Sequence, residues 1–142
     1  MKSKIDQRPY KLDARIVVYV CNWAGISSAE NAGIIRIQYP PSIRLVKVLC
    51  LGNVSPAHIL KAFKYGADGV MACGCEAGEC HYLTGNERCK DVVQDAKELM
   101  EILGIESERL ALVLLPMSEG EQFTKAVEDF ANRINSLKEI FL

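Results

Sequence analysis

The sequence predicts an α/β domain: a four-stranded, doubly wound parallel sheet of spatial order 2-1-3-4, with helices on both faces. Three observations predict it. Apolar runs rich in β-branched residues alternate along the chain with segments whose apolar residues recur at three and four positions, and that alternation builds a parallel sheet covered on both sides. The runs are near-continuous rather than alternating apolar and polar, as suits strands buried on both faces. At 142 residues the chain is the size of one domain, residues 1–142, with enough length to bury a real core. Right-handed crossovers then leave few topologies, and the small flavodoxin-like order is the natural choice among them.

Residues 1 to about 12 read as an arm, because Lys2, Lys4, Arg8 and Lys11 flank too few apolar residues to pack. The first strand is expected from about Ala14 to Val20, and a short helix follows over Ser27 to Ile34 with Ser27 or Ser28 as cap. Tyr39-Pro40-Pro41 breaks any helix, since proline lacks the amide donor and restricts the residue before it. The second strand, Ile43 to Leu49, carries Arg44 and Lys47 and reads as an edge strand. Ser55-Pro56 opens a helix with a cap and a first-turn proline, and Gly66 stands where it should stop. The third strand is the short run from Gly69 to Cys73. A longer helix over Glu87 to Leu103 has one apolar stripe: Cys89, Val92, Val93, Ala96, Leu99, Met100 and Leu103. The fourth strand is Leu110 to Leu115. Ser118-Glu119-Gly120-Glu121 has the pattern of a capping box for the last helix, whose stripe runs from Phe123 to Leu137. The apolar end Ile140-Phe141-Leu142 marks residues 138–142 as a docking tail.

Composition narrows the function. The net charge of −1 gives no electrostatic case for nucleic acid or a membrane surface as partner. No apolar run approaches a membrane span, and the first eleven residues lack the apolar stretch of a secretion signal. The expected location is cytoplasmic, where thiols stay reduced, so six cysteines point to metal or redox work before disulfides.

Their placement sharpens this. Cys21 ends the first strand, Cys50 the second and Cys73-Gly74-Cys75 the third. In a doubly wound sheet all three ends open at one edge, beside the crevice where strand order reverses. Strands lie about 4.8 Å apart, so thiols on three neighbouring ends fall within roughly 10 Å. Gly78, between Cys75 and Cys80, lets the loop fold Cys80 back over them. Four converging thiolates suit zinc or an iron–sulfur cluster. Structural zinc is usually held by two close cysteine pairs, and Cys75-x4-Cys80 alone has that form. Isolated cysteines from separate loops favour a 2Fe–2S cluster, with Cys21, Cys50, Cys75 and Cys80 as metal and cofactor ligands. A zinc-stabilised interaction module and a flavodoxin-like or thiol–disulfide redox protein are the alternatives. Cys73, two residues before Cys75, shares its face on an extended chain and is a substitute ligand or a buried thiol. Cys89 belongs to the helix stripe. His81 and His58 read as loop and surface residues, Glu76, Glu79 and Glu119 as solvated carboxylates, and no catalytic residue is assigned.

The ordered motifs resemble a known family. They are Cys21-Asn22-Trp23, Gln38-Tyr39-Pro40-Pro41, Val48-Leu49-Cys50-x-Gly52 and Gly66-Ala67-Asp68-Gly69-Val70. Gly74-Cys75-x-x-Gly78-x-Cys80-His81-Tyr82, Gly85-Asn86 and Ser118-Glu119-Gly120-Glu121 follow. Together, from about Ile16 to Phe130, they resemble the methyl-viologen-reducing hydrogenase delta subunit family. The resemblance implies a 2Fe–2S electron-relay subunit without bond chemistry of its own. It would link a hydrogenase, or a formate dehydrogenase in its place, to the flavin-containing subunit of heterodisulfide reductase. The family typically opens Cys-x-x-Cys, whereas Ala24 stands at the second position here. Glu76-Ala77 replaces the family's usual His-Pro, and Asn53 a basic residue. Trp23 and Tyr82 flank the ligands and are expected to shield the cluster.

Overall fold

The structure, a computed structural model, describes residues 14–137. The arm over residues 1–12 and the tail over 138–142 lie outside the described residues. Strands β1 (Ile16–Cys21), β2 (Ile43–Val48), β3 (Gly69–Cys75) and β4 (Leu110–Leu115) alternate with helices α1 (Ala24–Ile34), α2 (Pro56–Lys64), α3 (Gly85–Ile102) and α4 (Gly120–Ser136). Single 3-10 turns, Leu51–Asn53 and Ser107–Arg109, precede α2 and β4. The four strands form one parallel sheet in the order β2-β1-β3-β4, as the apolar runs predict.

Each face of the sheet carries its own core. Ile59 and Phe63 of α2 and Cys89, Val92, Val93 and Ala96 of α3 pack with Val70 and Ala72. On the other side Ala29 and Ala32 of α1 and Phe123, Val127 and Phe130 of α4 pack with Ile16, Val18, Met71 and Cys73. β2 is exposed along much of its length, as its charged residues require of an edge strand. Among the described residues no helix is long and apolar enough to cross a membrane.

Several boundaries differ from the sequence expectation, each for a local reason. α1 begins at Ala24, three residues before the expected serine cap. The Cys21 sulfur takes the cap's place, accepting the Gly25 N–H at 3.2 Å. The serines face α4 instead. Ser27 Oγ, Ser28 Oγ and Asn31 Oδ1 accept the N–H groups of Ser118, Glu119 and Gly120 at 3.1, 3.0 and 3.1 Å. These satisfy the first amides of α4 from a neighbouring helix, so the expected capping box is not formed. Ser118 has a left-handed φ of 59°, and Glu119 in the cap position makes no side-chain cap bond. Ser55 does cap α2, its Oγ accepting the His58 N–H while His58 Nδ1 accepts the Ser55 N–H at 3.0 Å. β3 runs two residues beyond Cys73, and α3 starts at Gly85 rather than Glu87. Leu99 and Leu103 leave the buried stripe. Leu103 instead joins Leu60 and Ile105 around a hollow of ≈ 450 Å³ rimmed by Lys61 and Lys64.

The bridge from α1 to α4 gives a stability prediction. Ser28 is fully buried and also donates to the Pro116 carbonyl at 3.3 Å. Ser28→Ala should cost about 1–2 kcal/mol and Asn31→Ala about 1 kcal/mol, the usual range for lost caps. Urea unfolding would report both as lower midpoints at unchanged slope.

Candidate functional site

Strand register sets the site. Cys21 pairs with Val48 of β2, and Val20 with Cys73 of β3. Cys50, two residues past β2, and Cys75, the last residue of β3, therefore end at the level of Cys21 on the carboxyl rim of the sheet. Cys80 returns to that rim through a turn at 76–79, closed by the Glu79 N–H on the Glu76 carbonyl at 3.0 Å with Gly78 at φ 80°. Buried Asn86, the second residue of α3, holds the loop: its Nδ2 donates to the carbonyls of Cys75 and Glu76 at 3.0 and 2.8 Å.

The four cysteines line one recess together with Trp23, Leu51, His81 and Asn86. All four are buried, and their sulfurs form two pairs. Cys21 Sγ lies 3.8 Å from Cys75 Sγ, and Cys50 Sγ 3.8 Å from Cys80 Sγ. Among the described residues no group of three or more potential ligands surrounds a single point as one metal ion requires. Two thiolates on one tetrahedral metal, with bonds of about 2.3 Å, stand about 3.8 Å apart. Each pair has that spacing.

Each sulfur also has backbone amides aimed at it, as thiolates require. Gly25 N–H points to Cys21, and Gly52 N–H to Cys50 at 3.4 Å. Burial pushes the Cys75 thiol up, opposed by the Ala24 and His81 amides. Burial raises Cys50 likewise, with its Cys80 neighbour adding to the rise and Gly52 opposing it. At Cys80 burial again disfavours the anion, but the amides of Asn86, Tyr82 and Gly85 and the Cys50 thiol outweigh it and lower the pKa. A deprotonated, multiply hydrogen-bonded sulfur is the form a metal takes. The Trp23 indole N–H is buried without a hydrogen-bond partner. Paired sulfurs, waiting amides and one orphaned donor together fit a small sulfur-bridged metal core.

The remaining residues fall elsewhere. Cys73 joins the core against α1 and α4, whereas Cys75, at the strand's end, joins the one against α2 and α3. The shared face expected on an extended chain is therefore not kept. Burial pushes the Cys73 thiol up to about 12, and its place in the opposite core sets it apart from the four sulfurs of the recess. Cys89 is fully buried on α3, its thiol raised to about 11 by the same cause. The His81 ring stacks on Trp23, with centroids 3.8 Å apart and planes at 21°. Tyr82, 44% exposed, lines a neighbouring groove together with Cys50. Glu76 and Glu79 are exposed, and His58 lies on the surface. Sequence reasoning gives Asn86 no role of its own; its signal is its place in the Gly85-Asn86 motif after the cysteine loop.

Comparison with known proteins is consistent across the chain. Residues 16–138 match the family described as methyl-viologen-reducing hydrogenase, delta subunit. The chain is 43% identical over 125 residues to the iron-sulfur subunit of the vhc F420-non-reducing hydrogenase of Methanococcus voltae, covering 88% of this chain and 87% of that one. It is 41% identical over 122 residues to the iron-sulfur subunit of the vhu F420-non-reducing hydrogenase of Methanopyrus kandleri, covering 86% and 92%. It is also 35% identical over 122 residues to one subunit of the Ferredoxin/F(420)H(2)-dependent CoB-CoM heterodisulfide reductase of Methanosarcina acetivorans, covering 86% of this chain but 15% of that one.

Proposed function

The chain belongs to the methyl-viologen-reducing hydrogenase delta subunit family, and on that premise we propose that it is an electron-relay subunit between a hydrogenase and the flavin-containing subunit of heterodisulfide reductase. Cys21 and Cys75 hold one iron of a 2Fe–2S cluster, and Cys50 and Cys80 the other. When bound, the cluster supplies a one-electron carrier. The observation that carries this reading is the pairing of the four sulfurs, 3.8 Å within each pair, with amide donors at every one.

The chain's own residues do three things for such a carrier. The amides of Gly25, Gly52, Gly85 and Asn86 stabilise negative charge on sulfur. Leu51 and Trp23 close the recess against water. The Leu49–Tyr82 groove, of ≈ 260 Å³ with Cys50 on its wall, gives a redox partner its approach. Leu49 and Tyr82, 55% and 44% exposed, line it, and Leu83, next to Tyr82 in the chain, is 81% exposed, an apolar surface suited to a docked protein. The relatives' names support the partners. Some are hydrogenase iron-sulfur subunits, and others carry the matching segment as a small part of a heterodisulfide reductase chain. A segment that is fused to a redox chain in one protein is a natural partner of that chain when separate. A formate dehydrogenase is the other donor that this placement admits.

The test uses the anaerobic assembly of hydrogenase, this chain and heterodisulfide reductase. Hydrogen should reduce the flavin only when the chain is present. Tyr82→Asp with Leu83→Asp should slow that reduction at least about tenfold, the effect of 1.4 kcal/mol or more on docking, at unchanged iron content. Flavin reduction that proceeds at full rate without the chain would refute the relay.

A further inference from the structure

We propose that Trp23 is a positioning residue for the redox centre: its indole N–H donates to a sulfur of the inorganic core, and His81 holds the ring in place for it. The inference rests on the cluster reading above and adds to it a side chain that sets the centre's potential.

Three observations place Trp23 in this role. Its indole lines the same recess as Cys21, Cys50, Cys75 and Cys80. Its Nε1 is buried with no partner, although a buried unpaired donor costs about 1–3 kcal/mol and is rarely left so. The ring is also fixed: His81 stacks on it at 3.8 Å, and Tyr82 meets His81 edge-on, centroids 4.9 Å apart and planes at 84°. An indole N–H is a donor only and cannot turn to another role as a hydroxyl does. Ser42 and Thr124 also have unpaired buried hydroxyls, but neither lines the recess, and a hydroxyl proton rotates. The acceptor assigned to the indole is a sulfide of the core, the group that binding would add to the recess that Trp23 lines.

A hydrogen bond to sulfur favours the more negative, reduced state and raises the reduction potential. Trp23→Phe keeps an aromatic ring for His81 to stack on and removes the N–H alone. A potentiometric titration of the anaerobic protein, followed by electron paramagnetic resonance, should show a lower midpoint potential at full iron content. An exchangeable-proton coupling present in the reduced wild type should be missing from the variant. An unchanged potential, with iron retained, overturns the proposal.

If the Phe variant takes up no iron, the wild type carrying 5-fluorotryptophan decides, because the chain has one Trp. The fluorinated indole is a stronger donor, so its potential should rise, and no shift would overturn the inference. A wild type without any cluster would instead count against the cofactor reading, which keeps the two failures apart.

Discussion

One added methyl group at Gly85 should empty the cysteine site of iron. Gly85 is the first residue of α3 and faces the sulfurs directly. A Cβ built there overlaps the Cys50 sulfur, and lies 3.2 Å from the Cys80 sulfur and 3.3 Å from the Gly52 nitrogen. Nothing nearby can yield. The Gly52 Cβ position is already 3.1 Å from the Gly85 Cα, and the Asn86 side chain ties α3 to the Cys75 and Glu76 carbonyls. Cys50 must therefore move, and the Cys50–Cys80 pair loses its spacing. Overpacking of this kind costs about 1–3 kcal/mol in fold stability, which a domain of this size survives, but a metal site tolerates far less displacement. Iron and acid-labile sulfide in Gly85→Ala should fall from the roughly two each per chain that the proposed cluster would hold to near none, with far-ultraviolet circular dichroism retained. Gly33→Ala, with nothing within 4 Å of its added Cβ, is the matched control and should keep its iron.

Single serine substitutions should divide the cysteines four against two. On the proposed ligand set, Cys21→Ser, Cys50→Ser, Cys75→Ser and Cys80→Ser would each leave an iron short of a thiolate, and each should abolish or severely deplete the cluster. Cys73→Ala and Cys89→Ala should keep full iron and lose only stability, about 1–2 kcal/mol for removing a fully buried sulfur. A Cys73 variant that lost its iron would show that Cys73 is a ligand after all. Ala24 bears on the same division. The family tends to have a cysteine there, yet the position still serves the site through its backbone amide, which points at the Cys75 sulfur.

The fold was largely legible in the sequence because its strands are continuous apolar runs. Such runs fix parallel, doubly covered strands, and right-handed crossovers then fix their order. The rim position of Cys21, Cys50 and Cys75 followed from the same reasoning. What stayed hidden depended on contacts distant in sequence. The cap of α4 comes from Ser27, Ser28 and Asn31, about ninety residues earlier, so a local four-residue pattern at Ser118 could only mislead. The cap of α1 is a sulfur, which no serine-based rule finds. Cys73 and Cys75 join different cores although both lie in β3, and Cys75 is its last residue, where a simple alternation rule no longer holds. The sorting of four cysteines into pairs, 21 with 75 and 50 with 80, needs the positions of three loops at once.

The most direct measurement is Mössbauer spectroscopy of the protein grown on ⁵⁷Fe and purified without oxygen. Two coupled ferric ions in tetrahedral sulfur coordination, diamagnetic as isolated, with one of the two becoming ferrous on one-electron reduction, is the predicted result. Zinc in place of iron, or the spectrum of a three- or four-iron cluster, would contradict the account.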